Sequence, residues 1–182
     1  MLSYVSRRNL YILLVLAFSI VGCTPRSVPT ACPPPEGEPA PAAAEALEQR
    51  ISALADAGGL VSFTITEDEA TAFLRHRLLP DDALRPRITL REESICAQLD
   101  LPFLGQELRV VAELAPRVAD GHLAVELMTL LLWGRAVPRW LRRSAESTIN
   151  ELLVELGGEA LVRSATLEDH ALTLVIGIPR AR

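Results

Sequence analysis

Reactive chemistry in this 182-residue chain would have to come mainly from three cysteines and three histidines. Cys23, Cys32, Cys96, His76, His122 and His170 lie so far apart that no pair has the short spacing of a zinc ribbon or zinc finger. There is no Gly-x-Ser-x-Gly elbow, His-Glu-x-x-His helix or phosphate-binding loop, and no histidine has a sequence-local nucleophile or ligand cluster. A protein without catalytic residues, metal or cofactor is therefore expected. Two places stand out. Cys23 directly follows the apolar run 10–22 (LYILLVLAFSIVG). Arg135, Arg139, Arg142 and Arg143 gather beside Trp133 and Trp140, where no acid occurs between Glu126 and Glu146.

The apolar run is too short to span a bilayer comfortably, which takes about 20 residues. Preceded by Arg7 and Arg8, it has the form of a secretory signal over residues 1–22. The residues Ile20-Val21-Gly22-Cys23 resemble the bacterial lipobox, in which small residues expose the backbone to a peptidase and the thiol takes the lipid. The resemblance implies that Cys23 is the acylated first residue of the mature protein, carrying diacylglycerol and palmitate-like chains. An uncleaved short anchor, or a signal cut elsewhere, is the other reading. Two or three acyl chains, at roughly 0.8 kcal/mol per buried CH₂, would hold the protein stably on a membrane. Thr24, rather than Asp, follows the cysteine, which favours the outer membrane, facing the periplasm, in a Gram-negative cell.

The formal charge of −5 gives no reason to expect nucleic acid as a partner. All the basic residues are Arg, and loss of Arg7 and Arg8 with the signal leaves 16 Arg against 23 acids, a net charge of −7. Residues 23–41 then form a tether, with seven of the 13 prolines between Pro25 and Pro41. At about 3.1 Å per residue in polyproline II, residues 24–41 reach some 50 Å. Cys32 lies in this tether. A Cys32–Cys96 disulfide is open to an exported chain. A free Cys32 with a buried core Cys96 is the expected arrangement, since a bridge requires a Cα and Cβ placement that the sequence does not dictate.

The apolar spacing of Ala43, Leu47, Ile51 and Leu54 predicts a lead-in helix over 42–59, stopped by Gly58-Gly59. The domain proper is expected over 60–182. Alternation predicts a strand at 61–65, and Thr66 with Glu69 forms a capping box opening a helix over 67–78. Further strands are expected at 87–90, 94–101, 108–114 and 122–133. Pro138 suits the start of a helix reaching 157, with an apolar stripe at Leu141, Ala145, Ile149, Leu152 and Leu156. Strands at 160–167 and 171–178 follow. Few neighbouring strands have a crossover helix between them, so the expected class is α+β with a largely antiparallel sheet. Hairpins are expected within 90–97, 118–125 and 167–174, most clearly at Asp120-Gly121.

An antiparallel sheet with one wet face should alternate throughout. Residues 128–133 (MTLLLW) and 172–178 (LTLVIGI) are instead apolar on both faces. Helices could cover both sides, or an apolar groove between sheet and long helix could admit a ligand. Met128, Leu130, Leu132, Trp133, Leu141, Ile149, Leu152, Leu174 and Ile176 are the groove candidates. The basic cluster opposes the macrodipole at its helix start. An anion held by backbone N–H groups and Arg would offset that cost. Arg135, Arg139, Trp140, Arg142 and Arg143 are thus candidates for an anionic head-group or membrane rim. A solvated basic face is the alternative.

Val118-Ala119-Asp120-Gly121-His122-Leu123-Ala124-Val125, the Gly134-Arg135-Ala136-Val137-Pro138 lead, the helix holding Ile149-Asn150, and Leu167-Glu168-Asp169-His170 together resemble the tubular lipid-binding (TULIP-like) superfamily. The resemblance covers about 60–178. His170 stands where the turn glycine belongs, and Glu92-Glu93 replaces another turn. The resemblance implies a curved, largely antiparallel sheet of six to seven strands wrapped on the long helix, with one or two shorter helices and an apolar cavity for acyl chains. The functional expectation is an envelope lipoprotein that binds a lipid or other amphiphile without catalysis. The alternative is a structural or assembly lipoprotein whose partner is another envelope protein.

Overall fold

The computed structural model describes residues 40–79, 84–103, 105–158 and 160–178. The expected signal, Cys23 and the expected tether through residue 39 lie outside the described residues. The elements are α1 (Pro41–Ala57), β1 (Gly59–Thr66), α2 (Glu67–Phe73) continued by a π turn (Leu74–Leu78), β2 (Arg85–Leu90), β3 (Ile95–Phe103), β4 (Gln106–Ala119), β5 (His122–Leu132), β6 (Arg135–Ala136), α3 (Arg139–Gly157), β7 (Leu161–Glu168) and β8 (Ala171–Ile178). The α+β class and the antiparallel pairing are as expected. The capping box is present, with Glu69 N–H donating to Thr66 Oγ1 (3.3 Å) and Thr66 N–H donating to Glu69 Oε2 (3.0 Å).

In place of one curved sheet there are two, ordered β1-β8-β7 and β2-β3-β4-β5-β6. α2 and its π turn carry the chain away from β1, so β1 pairs with β8, over its whole length. The sheets meet over Ile88, Leu90, Val162, Leu172 and Leu174, with Ile65, Ala70, Leu74 and Leu123 packed around them. Two backbone hydrogen bonds also join them, from Val162 N–H to Gly121 O (2.7 Å) and from His170 N–H to Leu90 O (3.3 Å).

All three expected hairpins form, and they differ in their turns. Asp120-Gly121 joins β4 to β5 with φ of 52° and 78°, the type I′ pattern whose twist suits a two-residue hairpin. Trp133-Gly134 does the same between β5 and β6, at 50° and 72°. Trp133 is therefore a turn residue rather than the end of the expected strand 122–133. At the β7–β8 turn His170 takes φ 65° without being a glycine.

α1 is more than a lead-in. Ala44 and Leu47 are among the most buried residues of the molecule. Arg50 pairs with Glu69, reaches Thr64 O, and lies 4.9 Å over the Phe63 ring. Arg77 pairs with Glu48.

β6 pairs only with Leu131 and Leu132, so most of β5 is an edge as β2 is, and polar side chains from helices meet backbone groups on both strands. On β2, Thr71 Oγ1 accepts from Ile88 N–H (2.9 Å) and donates to Ile88 O (3.4 Å), while Glu67 accepts from Leu90 N–H. On β5, Asn150 Oδ1 accepts from Val125 N–H (2.7 Å) and its Nδ2 donates to Val125 O (3.0 Å), imitating a strand neighbour. Glu146 accepts from Leu127 N–H (3.1 Å). The ladder shifts register between Glu113 and Leu114, which pair with Thr129 and Leu127, so Met128 is a bulge residue. Its carbonyl accepts from Arg142 Nη1 (2.8 Å). Unpaired edges invite pairing with other chains, and these contacts remove that risk.

One face of this sheet packs Leu114, Val125 and Leu127 under Ala145, Ile149 and Leu153 of α3. The apolar stripe thus continues from Ile149 to Leu153. Leu152, expected in it, is half exposed. The other face carries a second cluster of Cys96, Val111 and Leu131. Leu130 and Leu131 are thereby covered on opposite faces of β5, while Met128 and Trp133 remain 38% and 39% exposed. Cys96 is disulfide-bonded, which corrects the expectation of a free core thiol.

Candidate functional site

An apolar cavity of about 510 Å³ lies beneath α1, against the inner face of the three-stranded sheet. Alternation along β1 and β8 builds its floor: Phe63 and Ile65 from one strand, and Leu174, Ile176 and Ile178 from the other. Val162 and Ala160 add the β7 side, and Leu123 and His122 come from the start of β5. α1 overhangs it with Ile51 and Leu54, the next turns of the helix face that buries Ala44 and Leu47 deeper in the molecule. The last turns of α3 supply Leu153, Leu156 and Gly157.

Among the described residues, the lining has one polar side chain, His122, and no carboxylate or guanidinium. A half-open cavity of this volume falls in the range that holds small ligands, and walls of Leu, Ile and Phe favour apolar ones. Its rim is apolar too, since Ile51 is 41% and Leu156 59% exposed. The negative end of the α3 dipole, with Gly157 in the wall, lies at this cavity.

Of the nine groove candidates, Leu174 and Ile176 line this cavity. Leu130 and Ile149 belong to the packed cluster under α3, and Leu141 is buried. Leu132 is half-buried near the end of β5, Met128 sits at the bulge, and Leu152 lies on the exposed side of α3. Trp133 is tied to β4, where its Nε1–H donates to Glu107 O (3.1 Å) and its ring meets Phe103 edge-on at 6.2 Å. The groove was expected between the sheet and the length of the long helix. The packed side chains of β5 and α3 fill that space.

The basic cluster and the cavity occupy opposite ends of α3. Nineteen residues separate them by about 28 Å along the axis. The arginines therefore do not form the rim of this cavity. Arg142 is engaged with Met128 O, whereas Arg135, Arg139 and Arg143 are exposed and make no ion pair with a described residue. Trp140 is 47% exposed beside them.

Sequence reasoning missed Ile51, Leu54, Phe63, Ile65 and His122 as site residues. Their periodicity was legible, but their convergence depends on the pairing of the first strand with the last. Among the described residues, no three His, Cys, Asp or Glu side chains gather as a metal site, and no helix is long and apolar enough to cross a membrane. The chain matches no family model, and no curated protein matches it.

Proposed function

We propose that the protein is a lipid-anchored envelope lipoprotein that holds the apolar part of a lipid or other amphiphile in the cavity beneath α1. The carrying observation is that cavity: about 510 Å³ and apolar in its walls, with His122 as the single polar side chain among its described lining residues. Ten buried methylenes would contribute on the order of 8 kcal/mol. That corresponds to about micromolar affinity, before ordering costs are subtracted. An anionic head would meet the negative end of the α3 dipole, so a neutral or cationic head, or one turned to solvent, suits the cavity better.

The lipobox-like Ile20-Val21-Gly22-Cys23 supports anchoring through Cys23, with the outer membrane as the favoured site. The hairpin motifs and the packing of Ala145, Ile149 and Leu153 on the five-stranded sheet support a TULIP-like unit in which a curved sheet wraps the long helix. Exposed Arg135, Arg139, Arg143 and Trp140 support a membrane-facing rim at the far end of α3, separate from the ligand.

Native mass spectrometry of protein purified from membranes tests the ligand reading, together with uptake of a fluorescent fatty acid by delipidated protein. The expected result is a co-purifying lipid, with uptake lost in Ile176→Trp while the circular dichroism spectrum is retained. Protein that carries no lipid and takes up no probe would overturn it. The half-exposed Leu152 and Val154 on α3 favour a second reading, a lipoprotein that assembles with another envelope protein. One stoichiometric protein captured by such a lipid-free domain would support it.

A further inference from the structure

We infer that the cavity selects a single-chain amphiphile whose head carries a hydroxyl, held by the His122 imidazole, over a fatty-acid anion or a diacyl phospholipid. The inference rests on the reading that this cavity holds an amphiphile, and it names the class.

Size sets the number of chains. A methylene fills about the space of a water molecule, roughly 30 Å³ in the liquid. A cavity of about 510 Å³ therefore takes one chain of roughly 14 carbons with a small head, and not two.

The polar groups of the wall set the head. His122 begins β5, directly after the Asp120-Gly121 turn, and the Gly121 carbonyl accepts the Val162 N–H at 2.7 Å. That bond pins the start of β5 to β7, and His122 shares the cavity wall with Ala160 and Val162. Its imidazole is half-buried, yet among the described residues it has no hydrogen-bond or ion-pair partner. A polar group left unmet between apolar walls carries a desolvation cost that a ligand's polar atom removes.

Two features of the wall decide against an anion. Among its described residues there is no guanidinium to neutralise a carboxylate or phosphate. The carbonyl end of α3, with Leu156 and Gly157 in the wall, turns negative partial charge toward the same space. A hydroxyl suits both surroundings, because it donates to a carbonyl or a ring nitrogen and accepts from an imidazole N–H. The exposed arginines stand at the opposite end of α3, about 28 Å away.

Displacement of a fluorescent fatty acid from the delipidated protein tests this. The competitors are monomyristoylglycerol, myristate and methyl myristate, which share one acyl chain and differ in the head, and dimyristoyl phosphatidylcholine, which adds a second chain. Monomyristoylglycerol is expected to displace the probe at about tenfold lower concentration than the other single-chain competitors, the size of one added hydrogen bond. The phospholipid should displace it poorly. In His122→Leu the tenfold advantage should vanish while the probe is still taken up. Equal displacement by the three single-chain competitors, a preference for myristate, or an advantage that survives in His122→Leu overturns the role of His122 and leaves the cavity reading intact. Phospholipid that competes as well as monomyristoylglycerol overturns the single chain. Wild-type protein that takes up no probe overturns both readings. Should His122→Leu fail to fold, the wild-type series alone decides the head and the chain number.

Discussion

The two sheets are built on opposite principles. The five-stranded sheet is covered at most of its boundary: Thr71 and Glu67 meet backbone groups of β2, Arg142, Glu146 and Asn150 meet those of β5 beyond its pairing with β6, and both faces carry buried clusters. The three-stranded sheet has an inner face that is packed at one end and lines an apolar cavity at the other. α3 divides the same way, since its first turns and middle serve the closed sheet while its last turns overhang the open one. A sheet buried on both faces thus stands beside one whose inner face is left partly unfilled.

The largest expected effect tests the closed sheet. Asn150→Ala removes both hydrogen bonds to Val125 and leaves a part-buried N–H and C=O unmet, for a cost of about 3 kcal/mol. Leu156→Ala, at the exposed end of the same helix, should change stability by less than about 0.5 kcal/mol. Urea denaturation of both variants checks the difference. Similar midpoints would mean that α3 is uniform along its length and that the contrast between the sheets is false.

Next in size is the separation of the two ends of α3. Arg139→Glu with Arg143→Glu should weaken association with vesicles containing anionic lipid by about 1 kcal/mol for each Arg lost. Uptake of a fluorescent fatty acid should not change, because the cavity lies at the other end of the helix. Arg142 is left in place, since its substitution would open the β5 edge. If uptake falls with vesicle binding, the basic cluster and the cavity are one site.

The seam between the sheets should respond more modestly. Gly121 has φ 78°, and a Cβ there would meet Leu161 Cδ2 at 3.1 Å. Gly121→Ala is expected to cost about 1–2 kcal/mol from the left-handed backbone, and to loosen the Val162–Gly121 hydrogen bond. Hydrogen exchange at Val162 should quicken more than exchange at Val111, which lies inside the closed sheet. Equal acceleration at both would show that the two sheets open as one unit.

What the sequence made legible was local. The capping box at Thr66 and Glu69, the type I′ turn at Asp120-Gly121 and the long helix depend on residues within a few positions of each other. The β1–β8 pairing joins residues more than a hundred positions apart, and nothing in the alternation of Val61, Phe63 and Ile65 names a partner. The site followed the same rule: Leu174 and Ile176 were found because β8 is conspicuously apolar, and Ile51 was placed in a lead-in helix because its roof position depends on that pairing. The edge contacts had a usable signal. Arg142, Glu146 and Asn150 stand four apart, each one residue after Leu141, Ala145 and Ile149, so a polar stripe bordered the apolar one.

The smallest expected effect concerns the second tie between the sheets, at His170. Its Nδ1 lies 3.0 Å from Glu67 Oε2 and its Nε2 lies 3.5 Å from Asp169 Oδ2. The hydrogen bond to Glu67, then the charges of Glu67 and Asp169, raise the His170 pKa above its ordinary value of 6.5. A raised folded-state pKa stabilises the fold fully below the unfolded value and loses that contribution as pH rises through the folded one. The imidazole is exposed, so solvent screening keeps the effect small. Its left-handed backbone, at φ 65°, acts against it at every pH. His170→Gly removes the strain together with the ion pair, so the variant should gain on the wild type as pH rises from the ordinary histidine value of 6.5 through the raised folded-state value. Thermal melts across that interval check the slope. A difference that does not vary with pH would mean that Glu67 serves the Leu90 N–H alone, leaving the seam to Gly121 and Val162.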